Sequence, residues 1–165
     1  MSLSTSESQP QHAASITDRI DKEMQAASLI RQYAYGSVVV GFIPIPIIDL
    51  VALTGVQLKL IKRLSVLYGV RFSNDRGRNI IASLAGASVP LGLTRGVCSM
   101  LKAIPMVGTT ITGFSMAALC GASTYALGKV FVRHFESGGT FLNFDVSTNK
   151  AYYEEQVKQA KPVTE

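Results

Sequence analysis

Residues 43–69 read IPIPIIDLVALTGVQLKLIKRLSVLYG. Pro44 and Pro46 each remove a backbone donor and push the preceding residue out of the helical region, so any helix arriving from upstream must break here. Pro46 suits the first turn of a new helix. The helix predicted over Ile47 to Tyr68 is apolar through Leu58 apart from Asp49 and Gln57. It then carries Lys59, Lys62 and Arg63 and stops at Gly69, following the macrodipole and C-terminal glycine preferences. An apolar helix bounded by a double proline and a glycine, with its cations at the carboxyl end, points to an all-α chain.

The same grammar extends in both directions. Residues 1–14 are Ser/Gln-rich with nothing to bury and read as a disordered lead-in. From a Ser15 or Thr17 cap, Ile16, Ile20, Met24, Ala27 and Ile30 recur at helical spacing among charged residues, giving an amphipathic first helix that continues into apolar Tyr33 to Phe42. Downstream, Ser73 caps a third helix that reaches Pro90 and restarts towards Lys102. Ile104-Pro105-Met106-Val107-Gly108 is a second break. The next helix closes with Lys129, Arg133 and His134 and ends at Gly138-Gly139. A tail over 140–165 offers Phe141, Leu142, Phe144 and Val146, an Asp145 or Ser147 cap, and a short amphipathic helix with Tyr152, Tyr153 and Val157. Only Thr140 to Val146 hints at a strand. The predicted organisation is a lead-in (1–14), an apolar helical domain (15–139) and a tail (140–165): a bundle of four to five helices with two proline-led apolar regions.

Ala103 to Gly128 contains no charge over 26 residues, a length able to span a bilayer if it were wholly helical. Thr109, Thr110, Thr112, Ser115, Ser123 and Thr124 temper its hydropathy. Gly113, Ala117 and Gly121 fall at a spacing of four, which lets a second helix backbone approach closely in either a membrane or a soluble bundle. The two proline breaks, with stops at Tyr68-Gly69 and Leu127-Gly128, lie about 60 residues apart, the pattern of a duplicated hairpin or of two similar helices.

Composition sharpens the alternatives. Among 165 residues, 47% are apolar and only 16% charged, against about a quarter charged in an ordinary soluble chain. Mean hydropathy is positive at +0.26, which leaves a membrane-associated helical protein or a homo-oligomer that hides its apolar helices against copies of itself. The start of the chain lacks the basic and apolar regions of a secretory signal, an expectation of a cytosolic or cytosol-inserted protein. Cys98 and Cys120 read as small buried hydrophobes, without metal or redox spacing.

The net charge of +5 is concentrated in one place. Lys59, Lys62, Arg63, Arg71, Arg76 and Arg78 face only Asp75 between two apolar segments, so this connection is the candidate binding surface for anionic lipid or a partner on the cytoplasmic side. Aromatic residues are not interleaved with it in any RNA-binding signature, so no nucleic-acid partner is expected. Asp49 and Gln57 are the candidate polar helix contacts. Asp49 is a functional carboxylate, a bond to a partner helix, or a charge held by free N-terminal amides; Gln57 bonds across a helix interface or lies on the helix surface. The apolar body supplies no convergent acid, base or nucleophile, no metal set and no phosphate loop, so neither catalysis nor a cofactor is expected. A small-ligand enzyme or carrier with Asp49 in its pocket is the remaining reading.

Three segments together carry a family resemblance: IPIPIIDLVALTGVQLKLIKRLSVLYGV, FSNDRGRNIIASLAGASVP, and GKVFVRHFESGGTFLNFD followed by KAYYEEQ. The pattern resembles the bacterial domain-of-unknown-function family 697, a helical domain found alone or C-terminal to Era-like small GTPase domains, over about Ala27 to Gln159. It falls on Pro44, Pro46, Asp49, Gln57, Tyr68, Gly69, Pro105, Gly108, Gly128, Phe135, Gly138 and Gly139. The resemblance implies a membrane-associated accessory protein at the cytoplasmic side of a bacterial inner membrane, or in the cytoplasm. It also implies a small GTPase supplied in trans, since this chain has no GTPase module. The expected role is a non-enzymatic scaffold or anchor, with a soluble homo-oligomeric assembly as the alternative.

Overall fold

A computed structural model describes residues 8–41, 46–88 and 109–160. These are all-α, with five helices: α1 Ser8–Val40, α2 Pro46–Leu67, α3 Asn74–Ser88, α4 Thr109–Glu136 and α5 Val146–Gln159. The segment Thr140 to Val146 forms turns and the start of α5, not a strand. Pro44, Pro105 and Gly108 lie outside the described residues, as do the end of the third helix beyond Ser88 and its restart.

α1 begins at Ser8, well before the expected cap at Ser15 or Thr17. Pro10 is accommodated because a first-turn residue has no intrahelical partner for its nitrogen, and Ala13 and Ala14 favour helix. α2 starts at Pro46 and ends where the sequence places the stop. Gly69, at φ 68°, donates its N–H to Val66 O and Val70 donates to Ser65 O, the two bonds that satisfy the last carbonyls of a helix closed by a left-handed glycine. α4 ends the same way: Gly138, at φ 79°, bonds to Phe135 O and Gly139 to His134 O. Asp145 caps α5, accepting from the Ser147 N–H at 2.8 Å, the Ser147 hydroxyl at 2.6 Å and the Thr148 hydroxyl at 2.9 Å. These bonds to the charged form hold its carboxyl at about 2, below the ordinary 3.8.

The core joins α1, α2, α3 and α4 through Ile30, Leu60, Ile61, Leu64, Leu84, Leu127, Val130 and Phe131. The tail closes its open end. Phe144 stacks on Phe131 at 5.0 Å, Phe141 packs between Phe131, Phe135 and Phe72, and Arg133 lies over the Tyr152 ring at 4.5 Å.

α1 and α4 run antiparallel and very close. A Cβ on Gly41 would lie 2.6 Å from Ala117 Cα, and one on Gly128 would lie 2.6 Å from Ile30 Cγ1. Gly128 is therefore no stop: α4 continues for two further turns, and the glycine serves by lacking a side chain where Ile30 crosses. The second stop of the duplicated-hairpin reading is lost with it. Among the described residues no helix is long and apolar enough to cross a membrane. The described part of the uncharged stretch belongs to α4 from Thr109 onwards and contains six Ser and Thr hydroxyls.

Candidate functional site

The bundle interior carries a hydrogen-bonded chain across four helices. Gln57 of α2, although polar, is buried, and its Nε2 donates to both Ser123 Oγ and Thr124 Oγ1 of α4, each at 3.3 Å. Thr124 and Ser37 of α1 lie 2.8 Å apart, both fully buried. Ser37 has its single proton committed to the Tyr33 carbonyl at 2.9 Å, so the Thr124 hydroxyl must donate to Ser37. The direction of the relay follows: Gln57 to Thr124 to Ser37 to the α1 backbone. Ser123 also meets the Tyr153 hydroxyl of α5 at 2.7 Å, and burial raises the pKa of that phenol. The arrangement ties four helices together through buried side chains, and its hydrogen bonds act as a clamp on their register.

Only Gln57 among the sequence candidates belongs to this clamp. Asp49 is the fourth residue of α2, and its side chain lies outside the described residues, as do the side chain of Pro46 and the burial of Gly113. Ala117 is buried at the Gly41 crossing and Gly121 is buried along the same helix. Gly139 touches the His134 ring so closely that any side chain would displace it, while His134 Nε2 is 2.9 Å from Thr140 O. Sequence reasoning missed Ser37, Ser123, Thr124 and Tyr153 as a set. Ser123 and Thr124 read as hydroxyls diluting an apolar stretch, and no spacing rule relates them to Ser37, 87 residues away.

The basic candidates are all on the surface. Lys59, Lys62, Arg63, Arg71, Arg76 and Arg78 are exposed, and none pairs with an acid among the described residues. The first three are not scattered. Val51, Gly55, Lys59, Lys62, Arg63 and Val66 follow one outward stripe of α2 at helical spacing, opposite the buried stripe of Leu60, Ile61 and Leu64. Val51 and Val66 are 70% and 72% exposed, so the cations are flanked at each end by an apolar side chain standing in solvent. Arg71 in the following turn and Arg76 and Arg78 on α3 extend the charge.

The far end of the bundle is held by Tyr68, whose hydroxyl donates to Glu136 at 2.8 Å, joining the ends of α2 and α4. Burial first, and then that carboxylate, raises the phenol well above its usual value.

The family model Domain of unknown function (DUF697) matches residues 7–162. Magnetosome membrane protein 22 of Magnetospirillum gryphiswaldense is 37% identical over 153 residues, covering 92% of this chain and 78% of that protein. No solved structure matches. The match takes in all five helices, from the first residue of α1 to beyond the last of α5, and the chain belongs to the DUF697 family.

Proposed function

We propose that this protein is a non-enzymatic helical scaffold that attaches to an anionic membrane surface, at the cytoplasmic face, through the α2–α3 basic face. The observation that carries the reading is the outward α2 stripe: three cations without an acid partner among the described residues, between two exposed valines. Cations attract acidic headgroups while flanking apolar side chains enter the interface, the division of labour of an in-plane membrane helix. The name of the similar magnetosome membrane protein supports association with a membrane. The buried clamp supports a scaffold, since its polar groups are spent on helix register. A small GTPase acting in trans is the partner suggested by the family's fused members.

The test is co-sedimentation of the full chain with phosphatidylcholine vesicles containing or lacking phosphatidylglycerol. Binding that needs the anionic lipid and is lost with Lys59→Glu, Lys62→Glu and Arg63→Glu together is expected. Equal binding to both vesicles, or an unaffected triple variant, would overturn the assignment of that face.

A further inference from the structure

We infer that α1 is a self-association element: its amino-terminal half pairs antiparallel with the same segment of a second copy. The α1–α4 register, set by Gly41 against Ala117 and Ile30 against Gly128, brings the end of α4 at Glu136 level with Lys22. Residues N-terminal to that level run past α4, and every described side chain from Ala14 to Asp21 is exposed. An amphipathic helix of this kind has a face to cover. Ile16, Ile20 and Met24 form one ridge at a spacing of four, 43%, 50% and 59% exposed. The ridge leads into an open groove of about 470 Å³ between α1 and α4, where Ile20, Met24 and Ala27 face Lys129, Val132 and Glu136.

The charges beside the ridge identify the occupant. On the back of the helix, Asp18 and Lys22 pair with each other at 2.6 Å. Arg19 and Glu23 have the same spacing on the flank of the ridge, yet neither pairs with an opposite charge among the described residues. Their order, cation before acid, is the weaker one for pairing within a helix. An antiparallel copy corrects this. With a two-fold axis level with Asp21, Arg19 stands opposite the partner's Glu23 and Glu23 opposite the partner's Arg19. The same axis interleaves the apolar ridge in the order Ile16, partner's Met24, Ile20, partner's Ile20, Met24, partner's Ile16. An isologous interface requires such self-complementarity. Its one adverse contact is Asp21 with the partner's Asp21 on the opposite flank.

Sedimentation equilibrium of the full chain in lipid-free buffer tests the pairing, with helicity by circular dichroism as the folding control. A concentration-dependent monomer–dimer equilibrium is expected. Arg19→Glu should weaken it by about tenfold or more, as two rim pairs become repulsive. Arg19→Glu combined with Glu23→Arg should restore it, and Asp21→Asn should strengthen it. A monomer at every concentration, an unaffected Arg19→Glu variant, or a double variant that fails to recover would each overturn the proposal, including the case in which another protein or a membrane covers this ridge. Vesicle binding by the α2 face is read in a separate assay, so the two readings fail independently.

Discussion

Gln57 reaches across the α2–α4 contact to Thr124, 67 residues away, and supplies the first proton of a buried relay that ends on the α1 backbone. Every group in that relay depends on the one before it.

Replacing Thr124 by Val keeps the shape but strands a Gln57 proton and a Ser37 lone pair away from water. Thr124→Val and Gln57→Leu should each cost about 1–3 kcal/mol in urea unfolding, the range for a buried polar group left without its partner. The double variant should cost clearly less than the two single effects added, because the orphaned groups are removed together.

The glycines divide into two classes with opposite signs. Gly41→Ala would put a methyl into the α4 backbone and Gly128→Ala one into Ile30. Each should destabilise by roughly 1–3 kcal/mol, with Gly41→Ala the worse because backbone cannot step aside. Gly36 and Gly55 have open space at the Cβ position within their helices. Gly36→Ala and Gly55→Ala should stabilise by about 0.5–1 kcal/mol each, through helix propensity alone. Thermal melts of the four variants settle the ordering.

Asp145 gives a pH signature. Its folded carboxyl lies at about 2 against an ordinary 3.8, so the cap contributes stability that is fully present above the ordinary value and is lost as pH falls towards 2. The stability difference between wild type and Asp145→Asn should therefore be constant above about pH 5 and shrink between pH 4 and pH 2. Hydrogen exchange of the α5 amides reads the effect locally.

At the membrane, each cation near an anionic surface is worth about 1 kcal/mol, so reversing Lys59, Lys62 and Arg63 together should lower the vesicle partition coefficient by at least about a hundredfold. Raising salt should weaken wild-type binding in the same direction. Val66→Ala should have a smaller effect that persists at high salt, measured by the same co-sedimentation.

The ends of α2 and α4 and the start of α5 were legible in the sequence because they are decided by neighbours in the chain, whereas the start of α1 at Ser8 was not. Gly69, Gly138 and Asp145 each act through bonds within five residues, and a local rule finds them. Gly128 shows where such rules stop. The same residue type, following Leu127 as Gly69 follows Tyr68, reads as a stop, and only the crossing of Ile30 from a distant helix makes it an interior contact. The clamp was half legible: a glutamine in an apolar run invites a cross-helix bond, but its receivers were hidden among six hydroxyls of one stretch, distinguished only by which of them α1 and α2 meet. The basic stretch was visible as charge. That Lys59, Lys62 and Arg63 share an outward stripe with Val51 and Val66 emerges once the buried side of α2 is known.

The crossing of Gly41 over Ala117 also has Cys120 beside it, one turn along α4, its sulfur 3.2 Å from where a Gly41 Cβ would stand. A reagent reaches that thiol only when the seam parts. With Cys98 replaced by Ser, the rate of Cys120 labelling under native conditions becomes a clock for the breathing of the two longest helices, a natural reporter of how tightly membrane or partner binding holds the molecule shut.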